Sequence, residues 1–149
     1  MKTENSSVIS QKPPKEELQP IIHLYTKGEL HKALLLTNQM LERLPNSAVL
    51  LDLAAACNLG LMQFNAAINN YEQLLKITPN NSGAHNNLGY CLYQIGILKS
   101  AIDNYKQAVL IKPDFAQAYY NMGLTYFDAG EIETAIDSYK KALLIKPDY

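Results

Sequence analysis

Pro45, Pro79, Pro113 and Pro147 stand 34 residues apart, and Ala33, Ala67, Ala101 and Ala135 keep the same step. A strict period of this length means that one supersecondary unit has been copied and stacked, each copy burying an apolar face that it cannot bury alone. Stacked repeats touch only their neighbours and present extended surfaces, which favours binding over catalysis.

The clearest copies are 82–115 and 116–149, identical at 15 of 34 aligned positions. Each holds two helical stretches. The first, near 84–95 and 118–129, ends at Gly96 and Gly130, where glycine can take the left-handed conformation that closes a helix. The second runs near 99–111 and 133–145 and stops at Lys-Pro-Asp, because proline cannot continue a helix and turns the preceding residue away from helical angles. Asp114 and Asp148 fall where a side chain could cap a following helix. Ala101, Ile102, Tyr105, Ala108 and Val109 lie on one helical face, and Ala135, Ile136, Tyr139, Ala142 and Leu143 repeat it. Gly89 and Gly123 sit inside first helices, where glycine costs about 1 kcal/mol relative to alanine. The recurrence predicts a neighbour packed too close for a Cβ.

On these residues the chain resembles the tetratricopeptide repeat family. The family pattern reads as His85, Leu88-Gly89, Ala101, Tyr105, Ala108 and Pro113 in the third repeat. The fourth has Tyr119, Met122-Gly123, Tyr126, Ala135, Tyr139, Ala142 and Pro147. The second keeps Leu51, Ala67, Tyr71 and Pro79 but has Ala54-Ala55 for Leu-Gly. The first keeps Gly28, Ala33 and Pro45, with Ile21 for the glycine and Thr37 for the aromatic, as a divergent end repeat. The resemblance implies an all-α fold, a right-handed superhelical solenoid of four helix-turn-helix repeats at 14–47, 48–81, 82–115 and 116–149. Residues 1–13, polar and ending near Pro13-Pro14, are expected to form a flexible tail. Pro20 falls inside the first expected helix and predicts a late or bent start.

Net charge is −1, which offers no basic face to a phosphate backbone, so nucleic acid is not expected as a partner. No apolar run approaches the roughly 20 residues of a membrane span, and the amino terminus lacks a signal-peptide core. A cytoplasmic protein without membrane contact is the expectation. Cys57 and Cys91 are the only cysteines and are also 34 apart, in step with His23 and Thr125. Equivalent positions on stacked helices are separated by about the 8–10 Å of helix packing, too far for a disulfide or one zinc centre, so reduced, packed thiols are expected. His31 and His85 are isolated, and Asp103, Asp137, Glu131 and Glu133 read as solvated helix faces. No phosphate loop or nucleophile–base set appears. The chain is therefore expected not to be an enzyme, and to carry no metal or cofactor.

In the resembled family, first helices line a concave groove that holds peptides. Transferred to this chain, the inward positions include Asn86, Tyr90, Tyr93 and Gln94, then Gln117, Tyr120, Leu124, Phe127 and Asp128. Tyr90, Tyr93, Tyr120 and Phe127 would form an aromatic patch, the other reading being packing against adjacent helices. Asn87 and Asn121 form a two-rung ladder at the place where some members hold a peptide backbone, a task suited to a carboxamide that both donates and accepts. Their other reading is hydrogen bonding between helices. The clamp that some members use for acidic chaperone tails is absent: its places hold Leu18, Ile22, Leu53, Gly83 and Asn87, or Asp52, Ala56, Asn87, Gln117 and Asn121, without a cation.

The sequence stops at the end of a repeat, at Pro147-Asp148-Tyr149. Solenoids usually finish with a polar-faced helix, so the Ile136, Tyr139 and Leu143 face is expected to stay open, each such side chain worth roughly 1.5–3 kcal/mol if buried. The expectations are a piece of a longer protein, a homodimer through the last repeat, or tolerated exposure. The leading expected function is a protein-interaction module that binds a peptide or partner segment in the groove. The alternative is a non-catalytic targeting or dimerising region of a larger protein, such as one containing a glycosyltransferase, sulfotransferase or oxygenase domain.

Overall fold

The computed structural model describes residues 10–149, so positions 1–9 of the expected tail lie outside the described residues. Ser10 and Gln11 meet the loop that follows the second helix. The Gln11 N–H donates to the Asn46 carbonyl at 3.0 Å, the Asn46 N–H donates to Gln11 Oε1 at 3.0 Å, and the Ala48 N–H reaches Ser10 Oγ at 3.4 Å.

Eight helices follow: α1 Lys15–Thr26, α2 Leu30–Arg43, α3 Ala48–Gly60, α4 Phe64–Ile77, α5 Ser82–Gln94, α6 Leu98–Ile111, α7 Ala116–Asp128 and α8 Ile132–Ile145. They fall into two compact units, one ending at Pro79 with α1–α4 and one from Asn80 to Tyr149 with α5–α8. The fold is all-α, made of helical hairpins at the 34-residue step.

Each hairpin turn is closed in the same way. Gly28, Gly96 and Gly130 take φ of 76°, 81° and 81°. The N–H groups that follow donate back to the carbonyls of Leu24, Leu92 and Tyr126 at 2.9 Å, which satisfies carbonyls a helix end leaves orphaned. In the second repeat Met62 holds this place with φ 58°, and Gln63 N–H reaches the Asn58 carbonyl at 2.8 Å. The second helices end where proline dictates. Leu44, Thr78, Lys112 and Lys146 precede the four prolines and are turned to φ between −126° and −135°, out of helical geometry.

Two expectations are corrected, and one equivalence of position does not carry packing with it. First, α1 begins at Lys15, so its start is not late; Pro20 lies inside it, and Glu16, whose carbonyl loses a partner, is exposed to water. Second, Asp114 does not cap α7. The capping residues stand one place later, at Ser47, Asn81 and Phe115. Ser47 Oγ accepts from Leu50 N–H at 3.5 Å and Asn81 Oδ1 from Ala84 N–H at 3.0 Å, while Phe115 supplies no side-chain cap. The step of 34 carries the cap position along, but the oxygen is lost at Phe115, which instead lies under Lys112 Nζ at 5.1 Å. Third, His23 does not share the packing of Cys57, Cys91 and Thr125. Those three are fully buried, whereas His23 is exposed. Cys57 packs into the core of the first unit with Ile21, Ala33 and Met40 from the repeat before it. Among the described residues no repeat packs on that face of α1, and His23 is open to water.

The repeated glycines behave as expected. A Cβ on Gly89 would lie 2.7 Å from Tyr105 Cε1 and 3.1 Å from the Ala101 carbonyl oxygen, and one on Gly123 would lie 2.7 Å from Tyr139 Cε1. In the first repeat the volumes are exchanged. Ile21 fills the glycine's place and Thr37 the tyrosine's, both buried, with Thr37 Oγ1 donating to the Ala33 carbonyl at 2.7 Å.

Candidate peptide-binding face

The residues expected to line a groove lie on α5 and α7, neighbouring first helices of the second unit. On α5, Tyr90 and Tyr93 are one turn apart; on α7, Leu124 is one turn from Phe127 and Asp128. Tyr90 is 37 % exposed and Phe127 57 %, a large exposure for a ring that water solvates poorly. Tyr93 is half-buried and donates its hydroxyl to Asp128 Oδ2 at 2.7 Å, which ties the two helices together at this level. That bond, with burial and the nearby carboxylate charge, pushes the Tyr93 phenol up to about 12. Leu124 is half-buried.

Tyr120 joins a cluster of tyrosine rings. Its ring lies 5.7 Å from that of Tyr139 and 5.1 Å from that of Tyr149, both tilted, so it packs towards α8 and the residues after it. The 34-residue step holds the signal for this cluster, since Tyr149 repeats Phe115 and Lys146 stands over Tyr149 as Lys112 stands over Phe115.

The asparagines are joined into a chain of carboxamides. Gln117 Nε2 donates to Asn121 Oδ1 at 3.1 Å, Asn121 Nδ2 to Asn86 Oδ1 at 3.1 Å, and Asn86 Nδ2 to Asn87 Oδ1 at 3.2 Å. Asn86 and Asn121 are buried, so these bonds hold α5 to α7 and satisfy groups that would be costly to bury alone. Asn87 is half-buried at the end of the chain. Periodicity placed Asn87 and Asn121 as equivalents. The bond found instead joins Asn121 to Asn86, one position out of that register, and only side-chain geometry reveals it.

His85 and the two cysteines are occupied in packing. His85 Nδ1 lies 3.0 Å from Asn104 Oδ1. Cys57 and Cys91 carry free, buried thiols, and burial pushes the Cys91 thiol up to about 11, away from nucleophilic or metal-binding thiolate. Among the described residues no group of three His, Cys, Asp or Glu is placed to hold a metal ion, and no helix is long and apolar enough to cross a membrane.

The comparisons with known proteins agree with this architecture. A family profile described as "Tetratricopeptide repeat" matches residues 116–149, and one described as "TPR repeat" matches 63–96 and 91–130. Among solved structures, a crystal structure of MamA superposes with TM-score 0.81 at 28 % identity, covering 84 % of this chain and 73 % of its own. A second MamA crystal structure gives 0.84 at 27 %, covering 88 % and 72 %. MamA from Desulfovibrio magneticus RS-1, from residue 41 to its end, gives 0.86 at 20 %, covering 91 % and 76 %, a likeness of fold alone. No curated protein matches the chain. Repeats of this kind serve as protein-interaction modules, and the periodic helical hairpins, the glycine–tyrosine contacts and the family matches together place this chain in the tetratricopeptide repeat family.

Proposed function

We propose that this protein-interaction module holds an extended peptide, or an extended segment of a partner protein, against the first-helix face of α5 and α7. The observation that carries the reading is the exposure of Tyr90 and Phe127 on neighbouring helices whose spacing is held by the Tyr93–Asp128 bond and the carboxamide chain. Rigid aromatics lose little side-chain entropy on binding, so they make good anchors for apolar side chains of a ligand. Leu124 lies between them in sequence and supplies an apolar floor, and Asp128 keeps a second carboxylate oxygen for a peptide N–H or a cationic side chain. Asn86, Asn87 and Asn121 position the helices, with Tyr120 packed aside. The buried free thiols fit a reducing compartment such as the cytoplasm.

Peptides selected on the immobilised chain from a random displayed library test this reading. Replacing Tyr90→Ala and Phe127→Ala together is expected to weaken the selected peptides by about thirtyfold or more, the loss of one hot spot of about 2 kcal/mol, with helicity retained. Leu110→Ala, on an exposed position of α6, is expected to leave affinity unchanged. Equal affinity of the double variant and the parent would place the binding site elsewhere.

A further inference from the structure

The two kinds of helix face that meet between repeats differ between the start and the end of this array. The leading face of a first helix carries Leu50, Ala54, Cys57 and Leu61 in α3 and its C-cap, and Ala84, Leu88, Cys91 and Ile95 one step later. In α7 and its C-cap it carries Ala118, Met122, Thr125 and Ala129. Most of these are buried. At the same four places α1 and its C-cap have Glu16, Pro20, His23 and Lys27, all exposed. The first repeat therefore presents a polar, partly charged surface where every later repeat presents an apolar one.

The trailing face is the reverse. Ile102 on α6 is 8 % exposed, because α6 packs on α7. Its equivalent on α8, Ile136, is 46 % exposed, and Leu143 is 47 % exposed beside it. Ile132, Ile136, Tyr139 and Leu143 fall within one narrow stripe along α8. Along the solvent edge of that stripe the charges are ordered, with Glu133 and Asp137 in the first half and Lys140 in the second. All three are exposed, and among the described residues none makes an ion pair within the chain.

We propose that the stripe on α8 is a docking surface for a second copy of this chain, α8 against α8 and antiparallel. Stacking the apolar trailing face of one copy on the leading face of α1 of another would bury Glu16, His23 and Lys27 without partners, so head-to-tail growth is opposed. A two-fold contact uses the same patch twice and closes at two copies. The antiparallel arrangement seats Ile132 of one copy near Leu143 of the other, and the two-fold axis brings the same charged edge of both helices together in opposite directions. Lys140 then faces Glu133 and Asp137 of its mate, so the edge is self-complementary, whereas a parallel two-fold pair would put the two charged edges on opposite sides of the contact and leave these charges unpaired. A 14-residue helix is about 21 Å long and about 10 Å across, so its face offers a few hundred Å². That is below the roughly 600 Å² per partner of the smallest stable complexes, which makes this dimer weak and fast to exchange.

Sedimentation velocity of the whole chain, from low micromolar to near-millimolar concentration, reads the association. The expected result is a monomer–dimer equilibrium that stops at two copies. Ile136→Asp is expected to raise the dissociation constant at least tenfold with unchanged helicity, since the side chain is already half in water. Leu110→Asp, a loss of an exposed apolar residue on α6, is expected to change nothing. Lys140→Glu is expected to weaken the dimer, and Lys140→Glu with Glu133→Lys and Asp137→Lys in the same chain to restore it, because each copy then supplies all the reversed charges. Any of three results overturns the proposal: a monomer throughout the range, growth beyond two copies, or a dimer indifferent to both Ile136→Asp and Lys140→Glu.

Discussion

Gly89 and Gly123 occupy the same place in consecutive repeats, yet the side chains that crowd them differ in freedom. The nearest atoms to a Cβ at Gly89 are in the ring of Tyr105, which is fully buried, and the backbone oxygen of Ala101; the nearest to one at Gly123 are all in the ring of Tyr139, which is half-buried. Alanine gains about 1 kcal/mol of helix propensity at either site, against roughly 1–3 kcal/mol for overpacking where the neighbour cannot move. Gly89→Ala is therefore expected to destabilise by about 1 kcal/mol and Gly123→Ala to be close to neutral, measured by urea unfolding of each variant. Ala55, in the same register against Tyr71, indicates that the cost is moderate. The exchange of volumes at Ile21 and Thr37 follows the same rule, that the pair conserves filled space while either member alone changes size. The need for close approach was legible in the recurring glycine; which ring approached, and how tightly it was held, was not.

At the scale of the element, the hairpin turn shows where local chemistry is obeyed and where tertiary context overrules it. Three turns use glycine in the left-handed region, and the fourth forces Met62 into it at φ 58° with its side chain 71 % exposed. A non-glycine residue there costs roughly 1–2 kcal/mol, partly offset by the extra chain entropy glycine loses on folding. Met62→Gly is expected to stabilise by about 0.5–1 kcal/mol, seen as a rise of roughly 1–4 °C in the thermal midpoint. The second repeat still closes because the packing on either side of the turn, with Ala54, Ala55, Ala67 and Tyr71 all buried, sets the hairpin geometry that Met62 must meet. Capping reads differently. The cap of α7 stands at Phe115, one residue after the aspartate that the sequence singles out, because the boundary is set by where the chain leaves the proline turn rather than by where a carboxylate stands.

For the whole molecule, the proposed dimer rests on the asymmetry between a polar leading face on α1 and an apolar stripe on α8. It yields a prediction of its own. Glu16→Leu with His23→Cys, the residues found one repeat later at Leu50 and Cys57, makes the leading face of α1 apolar. That variant is expected to form species larger than two copies in sedimentation velocity at concentrations where the parent does not, since an apolar end then meets an apolar end without closure. Larger species absent at every concentration would mean that the polar residues of α1 do not limit assembly.

Periodicity alone determined the all-α class, the count and phase of the repeats, the helix ends at glycine and proline, and the family, because every copy reports the same packing constraint and errors in one copy are corrected by the others. Only the tertiary structure decided that His23 is exposed while Cys57 is buried, that Asn121 bonds Asn86 rather than standing free in a groove, and that Tyr120 turns to Tyr139 and Tyr149. These depend on which neighbour lies across from a residue and how its side chain is turned. A period fixes a residue's place within a repeat, but it does not say which neighbour covers that place in each copy, and hydrogen bonds between helices join positions that the period does not equate.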